Sequence, residues 1–262
     1  MAENLVEYHV EDGIAVFELN NPPANSYNHE MMRELDQCIL KARFDESIHV
    51  IIIRGKGDKF FSGGADIKML QQNSPYYLYN FGLHGNETLL RLENTPKLVI
   101  AALNGHAVGG GLEISLACDI RIARKDGGKI GLPEANLGVL PGMGGTQRLA
   151  RLIGKSKAIE LMATGKTISF EEGLQLGIIN HIFEADTYWE KVMEFAQSFV
   201  PPKRASLSVG LIKRAVQSGV EMSLPDGLSL EREVLQRAFE SEDAQEGLKA
   251  YLEKRAANFK GK

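Results

Sequence analysis

Residues 98–119 read LVIAALNGHAVGGGLEISLACD, and the order of patterns in this stretch sets the fold class. Leu98 to Leu103 are apolar without alternation, as in a strand covered on both faces. Gly105, Gly109, Gly110 and Gly111 then interrupt the chain. From Leu112 to Cys118 the residues are again largely apolar, now in a stretch that reads as a helix. Strand, glycine-rich loop and helix in that order form the repeating unit of an α/β protein.

The unit has an earlier counterpart. His49-Val50-Ile51-Ile52-Ile53 predicts a second strand apolar on both faces, and residues 60–68, FFSGGADIK, supply its small-residue loop and the start of a helix. Ahead of it, residues 5–10 and 14–19 predict two strands joined at Asp12-Gly13, a hairpin signal. Met32, Leu35, Ile39 and Ala42 recur at helical spacing within residues 29–43. After the quoted stretch, Ile120-Arg121-Ile122-Ala123 predicts a third short strand. Residues 146–177 and 186–258 predict mainly helices, with a short strand near 178–183. Pro201-Pro202 separates two of the helices. The expectation is an α/β core over residues 1–195 and a helical C-terminal region over 196–262, with no flexible linker between them.

Bulk properties narrow the function classes. A chain of 262 residues with 44% hydrophobic and 24% charged residues can bury a core without staples. A net charge of -4 offers no broad basic face, so nucleic acid is not an expected partner. Two cysteines, Cys38 and Cys118, argue against a disulfide framework. Residues 1–7 carry acids and no apolar segment, so no secretory signal is expected. No apolar run reaches the ~20 residues of a membrane span. A cytoplasmic protein is the expectation.

The glycine clusters do not form nucleotide motifs. Gly154-Lys155-Ser156 and Gly165-Lys166-Thr167 resemble the end of a phosphate loop, but Leu149 and Glu160 stand where its first glycine belongs. Residues 142–147, GMGGTQ, lack the last glycine of a dinucleotide fingerprint. The histidines at 9, 29, 49, 84, 106 and 181 include no pair at helical ligand spacing, so no metal is expected. Carboxylate chemistry and backbone donors remain. The first N–H groups of a helix lack intrahelical partners and lie at its positive end. Two glycine-lined helix starts on neighbouring strands would let two such donors meet one substrate oxygen. Glu113 stands in the first turn of the helix after Gly110. Alone it also reads as a capping residue. Glu134, in Gly131-Leu132-Pro133-Glu134, alone reads as a residue of a rigid surface loop.

Together these segments resemble the crotonase (enoyl-CoA hydratase/isomerase) superfamily. The similarity is carried by residues 100–119, by Phe61-Ser62-Gly63-Gly64-Ala65-Asp66-Ile67, by Pro133-Glu134, by residues 140–149 (LPGMGGTQRL) and by residues 253–259 (EKRAANF). The resemblance implies a spiral of repeated ββα units with a helical trimerisation region, assembled as a homotrimer or homohexamer. It implies hydration of a 2-enoyl-CoA with Glu113 and Glu134 as base and acid. In this reading Ala65 and Gly110 form the oxyanion hole, and the Gly142 N–H helps to hold the water. Coenzyme A, part of the substrate and not a separate cofactor, would meet Ala65, Asp66, Ile67, Lys68 and Gly110, with Tyr251 and Lys254 reaching it from the C-terminal region. An isomerase working through one glutamate, and a non-catalytic or RNA-binding relative, are the alternatives. Residues 69–84, with Tyr76, Tyr77, Tyr79 and Phe81, are expected to line or cover the acyl tunnel.

Overall fold

The computed structural model describes residues 4–262. Residues 1–3, part of the N-terminal reading, lie outside them. The chain opens with β1 (Val6–Glu11) and β2 (Ile14–Leu19), paired antiparallel around Asp12 and Gly13. Both turn residues have positive φ, 44° and 80°, which matches the twist of the flanking strands. Helix α1 (His29–Phe44) starts where the Asn28 side chain accepts from the Met31 N–H.

A repeat then begins. β3 (Val50–Gly55) is followed by the three-residue β4 (Phe60–Ser62), and then by α2 (Ile67–Gln72) and α3 (Pro75–Glu93). β5 (Leu98–Leu103) is followed by β6 (His106–Val108) and α4 (Gly110–Leu116). β7 (Ile120–Arg124) is followed by β8 (Lys129–Gly131), a 3-10 turn at Glu134–Leu137, α5 (Gly145–Ile153) and α6 (Lys155–Thr164). β9 (Ile168–Ser169), α7 (Phe170–Gln175) and β10 (His181–Phe183) close this part. The rest is helical: α8 (Tyr188–Gln197), α9 (Ser206–Gly219), α10 (Leu224–Phe239) and α11 (Glu242–Glu253).

The long strands form one sheet in the order β1-β2-β3-β5-β7-β10, parallel from β2 onward. The short strands form a second sheet, β4-β6-β8-β9. Each repeat thus places one strand in each sheet before its helix, which is the ββα spiral expected from the resemblance. Two details differ from the sequence reading. The glycine clusters do not follow the buried strands directly, because β4 and β6 intervene. Residues 146–177 are not only helical, since they include β9. Strands of two or three residues are too short to show a period.

Apolar runs on both faces explain the large sheet. Phe17, Ile51, Ile53, Val99 and Ala101 face one core, with α1, α3 and α4. Val16, Val50, Ile52, Ile100 and Ile122 face a second, covered by Tyr188, Val192 and Ala196 of α8. Each such large side chain contributes roughly 1.5–3 kcal/mol by leaving water. The corner between the sheets is pinned by buried Asn104. Its amide donates to Gly55 O and Gly57 O at 2.9 and 2.6 Å and accepts from Gly55 N at 3.0 Å. The ends of β3 and β5 therefore leave the large sheet together, and the two loops that follow arrive side by side.

Candidate active site

Those two loops meet through their glycines. Gly64, at φ +89°, lies so close to the other loop that a Cβ there would sit 3.0 Å from Val108 O and 3.1 Å from Gly110 N. A side chain is excluded both by that contact and by the backbone conformation. The next residue is Ala65. Among the described residues, neither the Ala65 N–H nor the Gly110 N–H has a hydrogen-bond partner. Gly110 is itself pressed against Tyr27, whose Oη would lie 1.7 Å from a Cβ at that position.

Both N–H groups border a cavity of about 660 Å³ whose walls also include Tyr27, Glu113, Glu134, Gly142 and Met143. The remaining wall is mostly apolar and includes Leu70, Leu78, Phe81, Leu137 and Leu140. The structure thus brings Ala65, Gly110, Glu113, Glu134 and Gly142 to one space, although they span 78 positions of sequence (142 minus 65, plus one).

Glu113 is 2% exposed. Its Oε1 accepts from the Met143 and Gly145 N–H groups at 2.8 and 2.7 Å. These groups lie at the start of α5, whose N-cap Gly144 has no side chain to offer. Glu113 therefore caps α5, across the fold, and not its own helix. Burial pushes its carboxyl above the usual range, opposed by the two N–H groups and by the nearby positive charge of Arg148.

Glu134 opens the 3-10 turn that Gly138, at φ +73°, closes. It stands over Gly109, with Oε1 3.2 Å from where a Cβ would be. Its Oε2 is buried with no hydrogen-bond partner. Burial pushes the Glu134 carboxyl up to about 7; its own backbone N–H opposes this and the charge of Glu113 adds to it. One carboxyl is thus tied to donors, while the other is poised to hold or release a proton near neutrality. A buried polar atom without a partner costs stability.

Other expected contacts are placed differently. Ile67 borders the cavity, whereas Asp66 caps α2 by accepting from the Lys68 and Met69 N–H groups, and Lys68 is exposed. Tyr251 and Lys254 are exposed at the end of α11 and do not border the cavity. Of the aromatic group on α3, Phe81 lines the cavity and Tyr77 packs on the core. Tyr76 and Tyr79 point outward, 80% and 71% exposed, and do not border the cavity.

Tyr27 was not anticipated. It is 3% exposed, borders the cavity, and its hydroxyl is held well above its usual pKa by burial and by the charges of Glu113 and Glu134. Its backbone pairs with the first glycine loop: Tyr27 N donates to Gly64 O, and Asp66 N donates to Tyr27 O, both at 2.9 Å. A single tyrosine in a turn-rich stretch carries no periodic signal linking position 27 to position 110. Chemically, the cavity offers two uncommitted backbone donors for a carbonyl oxygen gaining charge, and two carboxyls whose proton affinity burial raises.

Residues 9–262 match the family described as Enoyl-CoA hydratase/isomerase. The chain is similar to "Probable enoyl-CoA hydratase" of Bacillus subtilis (strain 168), with 41% identity over 98% of this chain and 99% of that one. It is also similar to "Short-chain-enoyl-CoA hydratase" of Clostridium acetobutylicum, with 37% identity over 97% of each chain. A crystal structure of an enoyl-CoA hydratase from Geobacillus kaustophilus HTA426 superposes with a TM-score of 0.97, at 44% identity, over 100% of this chain and 98% of that one.

Proposed function

The chain belongs to the enoyl-CoA hydratase/isomerase family, and on that premise we propose that it is a hydro-lyase adding water across the 2,3 double bond of a 2-enoyl-CoA to give a 3-hydroxyacyl-CoA. One observation carries the reading. Two carboxyls, Glu113 and Glu134, share a cavity with two residues, Ala65 and Gly110, whose backbone N–H groups have no partner among the described residues.

The thioester oxygen accepts from the Ala65 and Gly110 N–H groups. A donor placed where charge develops lowers the barrier by about 3–4 kcal/mol. The polarised conjugated system becomes electrophilic at its β-carbon. Glu113, whose anion is favoured against burial by its two N–H donors and Arg148, takes a proton from the attacking water, which the Gly142 N–H helps to hold. Glu134, protonated up to about pH 7, delivers a proton to the α-carbon. The two carboxyls titrate as a coupled pair. Coenzyme A arrives with the substrate, and no separate cofactor is needed. Asp66, Ile67 and Lys68 meet it at the cavity mouth.

An isomerase needs one carboxyl to carry a proton between two carbons. The presence of the second favours hydration. The discriminating experiment incubates the purified protein in 18O-labelled water with crotonyl-CoA and, separately, with a 3-enoyl-CoA. Label in a 3-hydroxyacyl product supports hydration; a shifted double bond without label supports the isomerase.

The protein is further proposed to act in the cytoplasm in acyl-CoA catabolism, as a homotrimer or homohexamer built through residues 196–262. Exposed apolar side chains on α9 and α10, including Ile212, Val216, Leu224 and Leu228, support the assembly. In such an assembly Tyr251 and Lys254 approach the coenzyme A of a neighbouring subunit.

A further inference from the structure

The reaction needs one carboxylate oxygen of Glu113 facing the cavity in a fixed direction, and the loop that holds its other oxygen is itself held by something. Residues 142–145 are that loop. Arg148, on the first turn of α5, turns back onto it and donates from Nη1 to Met143 O at 2.9 Å. The same guanidinium makes a two-pronged bridge to Glu93 at the end of α3, Nε to Oε1 at 2.7 Å and Nη2 to Oε2 at 2.6 Å. Both side chains are largely out of water, 14% and 17% exposed. α3 steadies the loop at two more points. Asn86 Nδ2 donates to Gly142 O at 3.2 Å, and Gly85 leaves room for the Met143 side chain, whose Sδ would lie 2.1 Å from a Cβ there.

We propose that Arg148 and Glu93 are positioning residues for Glu113. Their ion pair ties the 142–145 loop to α3, and so fixes the two N–H groups that hold Glu113 Oε1. The Glu113 carboxyl is thereby kept aimed at the reacting water. Only an arginine suits the position. Its planar fork binds the carboxylate with two nitrogens and leaves a third for the Met143 carbonyl, whereas a lysine ammonium has no such geometry. The charge of Arg148 also acts on Glu113 through space. The other titratable groups facing Glu113 are Glu134 from the 3-10 turn and Tyr27 from the segment before α1, and the charge of Glu113 raises the pKa of both. Arg148 is the counterweight, and Glu93 neutralises its cost of burial.

The kinetic part of this inference rests on the hydratase reading; the titration of Glu113 does not. Arg148→Met, Arg148→Lys and Glu93→Gln are compared with the wild type by crotonyl-CoA kinetics over pH. The Glu113 carboxyl is also titrated directly by 13C NMR, assigned with Glu113→Gln. Arg148→Met is expected to lose about 10²-fold in kcat through misplacement, with KM within about twofold. Its Glu113 titration and the acid limb of its pH profile move upward. Arg148→Lys keeps the charge and returns both near wild type, yet leaves kcat low. Glu93→Gln lowers kcat by a similar factor, and the double variant is no worse than either single one. A folded Arg148→Met with wild-type kcat and wild-type Glu113 titration overturns the proposal. If that variant does not fold, Glu93→Gln with wild-type kcat overturns it equally. If the wild type hydrates nothing, the hydratase reading fails, and an unmoved Glu113 titration still decides against Arg148.

Discussion

Glu134 is the residue at which function and stability pull apart. Its folded-state carboxyl is raised to about 7 from an ordinary 4.5, so the folded protein binds this proton more tightly than the unfolded chain does. Stability from this group is therefore present below about pH 4.5 and lost as pH rises through about 7. Glu134→Gln, which cannot ionise, is expected to melt higher than wild type at pH 8 and close to it at pH 4. Equal melting curves at both values would show that the carboxyl is not perturbed. Gly110 gives a second residue-scale expectation. A methyl group there meets the Tyr27 hydroxyl, and Tyr27 is too buried to step aside. Gly110→Ala should lose about 10²–10³ in kcat through its displaced donor, and about 1–3 kcal/mol in denaturant unfolding through overpacking. Glu113 beside its glycines was legible in the sequence, because these residues are local to one another, whereas Glu134 and the pairing of Ala65 with Gly110 came with the family resemblance. Tyr27 and Arg148 were not legible. Their roles come from contacts made only when loops distant in sequence pack together.

At the scale of elements, the helices could be read from their period and the long strands from unbroken apolar runs covered on both faces. β4, β6, β8 and β9 could not, although β4 and β6 lead into the glycine loops and β8 into the turn that carries Glu134. The two outward tyrosines of α3 show the same limit: composition marks an aromatic helix, but only packing says which face is in. The face that lines the cavity carries Leu78, Phe81 and Gly82. Gly82 is the gap in that wall. A Cβ there would touch only Gly142 O, at 3.7 Å, an ordinary contact. Gly82→Ala should be tolerated and stabilise α3 by up to about 1 kcal/mol. Gly82→Leu should grow into the cavity, lowering kcat/KM for long 2-enoyl-CoAs about tenfold or more relative to crotonyl-CoA. An unchanged ratio across a chain-length series would place the acyl group elsewhere.

At the scale of the whole molecule, two sheets fed by the same repeats bring neighbouring strand ends to one place, and the site is built from that coincidence. The apolar residues left exposed on α9 and α10 have no function within one chain, and here the spiral was legible while its assembly is an inference from what remains uncovered. Sedimentation should give a species of three or six times 28.8 kDa, whereas a 28.8 kDa monomer would contradict the assembly. The central claim concerns the two carboxyls acting on one water. It is tested most directly by crotonyl-CoA turnover in folded Glu113→Gln and Glu134→Gln. The account predicts that each loses about 10²–10⁴-fold in kcat, the usual worth of a positioned acid or base. Wild-type turnover in both variants would contradict it.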